Sequence, residues 1–296
     1  MARERIAASA AVGGAVSVQI GAAIGATIFP LVGPAGVVAL RQAVAAIALI
    51  AVARPRLRGL RWSTVRPAIL LGLVLVVMNL TLYGAVERIG LGLAVTLEFL
   101  GPLAVALLGS RRRFDLVCAA LAGVGVVLLT GTVPGLDVVG ILLGLAAAAA
   151  WAAYILLSQR AGRSLPGIQG TAIASLVAAI LTSPILVIVL VGLDPHELLR
   201  VAVVGLAAGI LSSAIPYSID LLVLRRLPRQ LFGVLQSVHP AAAAVAGLVV
   251  LGQTLGAWQI AGLVLITAGN AIAVGRGTPS ASPPARRRPA EVSPIG

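Results

Sequence analysis

Lysine is absent from the 296 residues, and cysteine occurs once, at Cys118. A disulfide framework is therefore excluded. One cysteine and two histidines make a zinc or iron–sulfur site unexpected, and no metal or other cofactor is called for. Charged residues are only 10% and aromatics 3% of the chain. A soluble globular protein carries about 25% charged residues, so this chain has too little polar surface to cover a soluble domain. The low hydrophobicity that disorder requires is missing as well. No phosphate-binding Walker motif and no long soluble segment are present to drive a primary pump.

What is present is apolar. Hydrophobic residues are 59% and the mean hydropathy is +1.08. Apolar runs of about 20 residues, each enough for one crossing, fall at 8–30, 33–53, 67–87, 91–110, 116–132, 138–158, 169–192, 201–224, 230–250 and 255–275. They are twice the length of an outer-membrane strand and lack its alternation. The expected fold is an all-α polytopic membrane protein of ten transmembrane helices. The first run lacks a small-residue cleavage site and is read as a retained helix.

The 22 arginines set the orientation. Nineteen lie before span 1, after spans 2, 4, 6 and 8, or in the tail; Arg88 and Arg200 lie on the other side and Arg41 inside span 2. The positive-inside rule makes the nineteen-arginine face cytoplasmic, with both termini inside a plasma or inner membrane. The net charge of +13 is thereby assigned to loops beside membrane lipids, and no nucleic-acid partner is expected. Residues 276–296, rich in Pro, Ser and Arg, are expected to be a disordered basic cytoplasmic tail.

Segments recur about 138 residues apart. LEFLGP (97–102) matches LQSVHP (235–240), and ERIG (87–90) matches RRLP (225–228). The matched loops carry opposite charge bias, since 111–113 holds three arginines and its counterpart near Gly252 none. This predicts two inverted five-helix repeats, 1–132 and 138–275. Such repeats underlie alternating access in secondary transporters.

Pro102 and Pro240 hold equivalent repeat positions in spans 4 and 9. Each removes a backbone donor in mid-helix, and paired helix breaks point to a central site. Pro184 and Pro216 are single kinks, read as structural. Glu98 and Arg41 lie at equal depth, roughly 12 Å from the outer ends of their spans at 1.5 Å per residue. A lone charge there costs about 2.5–3.5 kcal/mol. Either they pair with one another, or Glu98 binds an ammonium or a proton and Arg41 a carboxylate. His239 is the one histidine inside a span and a candidate proton carrier. Asp220 is read as a structural group near the end of span 8. Gln19, Asn79, Ser212, Ser213, Gln236 and Asn270 supply polar side chains to substrate or to neighbouring helices, while Trp151, Tyr154 and Tyr217 wall a pocket or pack. Of these, Gln19, Arg41, Asn79, Glu98, Tyr154, Ser212 and Gln236 form the expected substrate site.

The runs VTLEFLGPLAVALLGSRR (95–112), WAAYILLSQRAG (151–162) and the stretch 211–255 resemble the threonine/homoserine exporters. These belong to the EamA-type branch of the drug/metabolite transporter superfamily. The resemblance implies a ten-helix fold of two inverted repeats. It also implies export of small metabolites by proton exchange, with Glu98 and Pro102 in the site. Relatives often carry Glu where this chain has His239 and Gln253. The expectation is a secondary exporter of amino acids such as threonine or homoserine, with the proton as coupling ion and room for a homodimer. The alternatives are a drug or other metabolite exporter of the same fold and a lipid-handling membrane enzyme. The enzyme ranks last, because nothing catalytic clusters with Glu98 and His239 at an interface.

Overall fold

A computed structural model describes residues 2–55, 61–108, 113–130, 137–224 and 236–276. Every regular element among them is helical. In chain order these are α1 (Ala2–Ala26), α2 (Phe29–Ala53), α3 (Trp62–Ile89), α4 (Leu91–Glu98), α5 (Leu100–Leu108) and α6 (Arg113–Thr130). There follow α7 (Val138–Ser164), α8 (Gln169–Gly192), α9 (Pro195–Gly209), a π-helical turn (Ile210–Ala214), α10 (Ile215–Leu224), α11 (His239–Leu251) and α12 (Ala257–Arg276).

Among the described residues, six stretches are long and apolar enough to cross a membrane: Ser9–Ala26, Phe29–Ala53, Trp62–Ile89, Val138–Ser164, Gln169–Gly192 and Pro195–Asp220. Shorter apolar helices lie at Leu91–Val105, His239–Leu251 and Ala257–Gly269. Large apolar side chains such as Ile188, Val191, Val203, Val249 and Trp258 point outward, while Gln19, Arg41, Gln42, Asn79, Glu98 and His239 are buried. An apolar exterior around a partly polar interior is the arrangement a lipid solvent selects. The protein is a polytopic helical membrane protein.

Local chemistry explains where the helices depart from the expected spans. Span 8 starts earlier, at Pro195, because proline in the first turn loses no helical hydrogen bond there. Helix α2 begins at Phe29 and kinks at Gly33 (φ 65°, ψ 169°). The following Pro34 disfavours helical geometry at that position. Span 4 is two helices, α4 and α5, separated at Phe99 and not continuous through 91–110. The expected first residues of span 9, 230–235, and the tail 277–296 lie outside the described residues.

The packing brings distant parts of the chain together. Helix α3 packs along α7, and α1 packs along α9, the π-turn and α10. Helix α4 meets α7, and α1 meets α11. Helix α2 also packs on α8, α3 on α8, α2 on α9, α4 on α11 and α6 on α12. One core, with Ala23, Ile28, Val37, Tyr83, Val86, Leu91, Val95, Val201 and Ala243, ties both halves of the chain at one end of the bundle. A second, with Leu49, Leu71, Leu75, Ala161, Ile173 and Tyr217, joins α2, α3, α7, α8 and α10.

Candidate functional site

The α4–α5 break carries Glu98 as the last residue of α4, with Phe99 as the turn. Pro102, three residues on, has no N–H for the Glu98 carbonyl, so the helix cannot run straight through. The equivalent proline, Pro240, sits in the first turn of α11, after a turn at Ser237–Val238. Pro102 thus lies just past a break between two helices, and Pro240 just past a turn. Glu98 stands at the α4–α5 break, and Gln236 immediately before the turn that leads into α11.

Glu98 is 6% exposed, and its carboxylate accepts no hydrogen bond from the described residues. Phe99, beside it, packs edge-on against Trp151 of α7 (centroids 5.2 Å, 75° between planes). His239 stacks on Phe99 at 6.1 Å and meets Trp151 edge-on at 5.6 Å. The imidazole Nδ1 lies 2.8 Å from Gln19 Nε2 of α1. His239 Nε2 and Gln19 Oε1 are buried without partners. Three helices that are far apart in sequence thus converge on one histidine.

A second polar group surrounds Arg41 of α2. Its NH2 donates to the Ser212 carbonyl at 3.0 Å and to Ser213 Oγ at 3.1 Å. The guanidinium lies over the Tyr83 ring, 4.6 Å from its centre. Tyr83 Oη sits beside Arg41 and Ser212 but outside hydrogen-bond geometry. Among the described residues no ion pair joins Arg41 to Glu98. Equal depth along two helices does not fix their rotation, and Arg41 turns toward the π-turn.

The remaining expected residues separate. Tyr154 packs with Tyr217 at 6.4 Å, and Gln236 Nε2 donates to Asp220 at 3.4 Å, extending the polar interior toward α10. Asn79 is buried but turns back on its own helix, donating to the Leu75 carbonyl at 2.8 Å. The side chain of Asn270 lies outside the described residues. Ser17, Tyr83 and Phe99 join the site without having been singled out in the sequence. For Ser17 and Arg41 the available signal was Pro216, whose missing N–H leaves carbonyls in need of donors. Among the described residues no cluster of His, Cys, Asp and Glu has the makings of a metal site.

Buried orphan polar atoms are uncommon in native interiors and call for an explanation. Here Gln19 Oε1, Arg41 Nε, Gln236 Oε1 and His239 Nε2 are all of this kind. Together with Glu98 they supply cationic, anionic and neutral hydrogen-bonding groups to the buried interior.

The chain is similar to known transport proteins. The EamA-like transporter family matches residues 138–275. The chain is 42% identical over 256 residues to the threonine/homoserine exporter RhtA of Salmonella typhimurium strain SL1344, covering 85% of each chain. It is 43% identical over 259 residues to threonine/homoserine exporter RhtA of Escherichia coli K12, again covering 85% of each. A solved crystal structure, 24% identical, aligns with a TM-score of 0.60 over 90% of this chain and 96% of its own, and speaks for the fold alone.

Proposed function

Because the chain belongs to the EamA-like transporter family, we propose that it exports threonine, homoserine or closely similar amino acids by alternating access with proton antiport. The observation that carries this reading is the 42–43% identity to threonine/homoserine exporters over 85% of the chain. The buried chemistry supports it. An amino acid offers an ammonium to Glu98 and a carboxylate to Arg41, and a side-chain hydroxyl to neutral groups such as Gln19 or Gln236. Glu98 and His239 are the interior groups suited to carry the coupled proton.

Alternating access rests on the ten-span inverted repeat, with both termini cytoplasmic. The packing supports that symmetry. Exchanging the two five-helix units turns the α3–α7 contact into α1 with α9, the π-turn and α10, and turns α4–α7 into α1–α11. The pairs α2–α8, α4–α11 and α6–α12 map onto themselves. The family match over 138–275 has the bounds of one such unit.

The test is tolerance. Overproduction raises resistance to toxic external threonine or homoserine and lowers their intracellular level. The gain disappears in Glu98→Ala at equal membrane abundance. No change in tolerance or intracellular level, with the protein present in the membrane, rejects these substrates.

A further inference from the structure

Pro216 lacks the N–H that would satisfy the Ser212 carbonyl in an α-helix, and its ring crowds that oxygen. The chain responds by widening into the π-turn, where the Ile215 N–H bonds back to Ile210 O. In that wider winding the donor for Leu211 O is again residue 216, and again it is missing. Both carbonyls are answered from other helices. Ser17 Oγ of α1 donates to Leu211 O at 2.7 Å, and Arg41 NH2 of α2 donates to Ser212 O at 3.0 Å. Close approach of α1 depends on Gly21, where a Cβ would lie 2.7 Å from Ser212 N. Pro184 makes a useful contrast. The carbonyl it orphans, Ile180 O, is served by the adjacent Ser183 Oγ at 2.7 Å within the same helix. The Pro216 break, in contrast, recruits partners from outside its own helix.

Arg41 is 4% exposed. One edge of its guanidinium is held by Ser212 O and Ser213 Oγ, and its face by Tyr83. Its Nε has no partner, and no other described group accepts from it. A buried guanidinium fixed on one edge and unsatisfied elsewhere suits a carboxylate, which guanidinium recognises by paired charge-assisted hydrogen bonds. We propose that Pro216 is the positioning residue of the substrate site. One of its orphaned carbonyls, Ser212 O, anchors Arg41, whose remaining N–H groups receive the substrate's carboxylate. This rests on the amino-acid export reading and adds the recognised group and the residue that places its partner. A carboxylate drawing on Arg41 also draws on the π-turn between α9 and α10, so occupancy and helix bend are linked.

Two measurements on the purified full-length protein test it. The first is counterflow of labelled threonine in proteoliposomes, with competition by unlabelled threonine and by the amino alcohol that lacks the carboxylate. In the unmodified protein the amino alcohol competes at least about tenfold more weakly, the loss expected for one charge-assisted hydrogen bond. In Pro216→Ala, where the restored N–H displaces Arg41 from Ser212 O, that ratio falls toward one and the KM for threonine rises more than the maximal rate falls. The second is the melting temperature without substrate. Ser17→Ala lowers it in the proline background and leaves it nearly unchanged in the Pro216→Ala background. An unchanged competitor ratio in Pro216→Ala, or an equal Ser17→Ala effect in both backgrounds, overturns the proposal. Absence of threonine counterflow in the unmodified protein contradicts the export reading alone, and the melting comparison still decides the role of Pro216.

Discussion

Gln253 and Leu91 are joined across the two halves of the chain: the Leu91 N–H donates to Gln253 Oε1 at 2.9 Å. Leu91 opens α4, and the preceding Gly90 stands at φ 80°, a conformation that leaves no room for an ordinary N-cap side chain. A Cβ at Gly90 would lie 3.2 Å from the same Oε1, and one at Gly247 would lie 2.9 Å from it. The Gln253 amide therefore fills a glycine-lined slot and caps a helix of the other half.

Removing that cap weakens the helix that carries Glu98. Gln253→Ala is expected to cost about 1 kcal/mol, the usual value of a helix cap. Gln253→Glu keeps an acceptor at a helix N-terminus and retains most of the stability. Thermal unfolding in detergent measures both. Equal losses for the two variants mean that the hydrogen bond is not the source of the effect.

Asp137 links the start of α7 to the end of α3. Its carboxylate accepts from the Gly140 N–H at 2.8 Å and from Arg88 at 3.0 Å. The Gly140 N–H, and after it Arg88, hold its pKa below the ordinary carboxylate range. A lowered native value stabilises the fold above the unfolded carboxylate value of about 3.9. That stabilisation is lost as pH falls through the lower native value. The melting difference between the unmodified protein and Asp137→Ala is thus full at neutral pH and shrinks on acidification below about pH 4. A difference that does not depend on pH leaves no role for the charge.

Gln19 and His239 form a buried pair, so their effects are coupled. Gln19→Leu alone strands the imidazole Nδ1 and His239→Leu alone strands the Gln19 amide. The double variant Gln19→Leu with His239→Leu removes both polar groups and is expected to be more stable than the sum of its singles by about 1 kcal/mol. Strict additivity in a melting series refutes the pairing.

The helical class and the buried status of Gln19, Arg41, Glu98 and His239 were legible in the sequence. Apolar run length and the cost of interior charge determine each of these one helix at a time. Contacts between helices depend on rotation about each axis, which run length does not encode. That is why Arg41 turned out to serve Ser212 and Ser213 and not Glu98. Asn79 was read as facing a substrate, yet a mid-helix asparagine has its own preceding carbonyl within reach and uses it. Phe99 carries no sequence signal of its own. Its role follows from the turn at α4–α5, which swings its ring between Trp151 and His239.

The proposed orientation, with both termini cytoplasmic, rests on the arginine distribution and is checked by fusion. A reporter active only outside the cytoplasm is active after Gly192, between α8 and α9, and silent after Ser164, between α7 and α8. The reverse pattern contradicts both the ten-span topology and the inverted repeat.

The central claim is proton-coupled export of an amino acid through the interior around Glu98, and vesicles holding the purified protein test it most directly. With an imposed proton gradient the unmodified protein accumulates labelled threonine against its concentration gradient, and it exchanges labelled for unlabelled threonine when no gradient is present. Glu98→Gln, which accepts no proton at that carboxyl, abolishes the gradient-driven accumulation. If Glu98→Gln accumulates threonine under the gradient as well as the unmodified protein does, the account of this site is wrong.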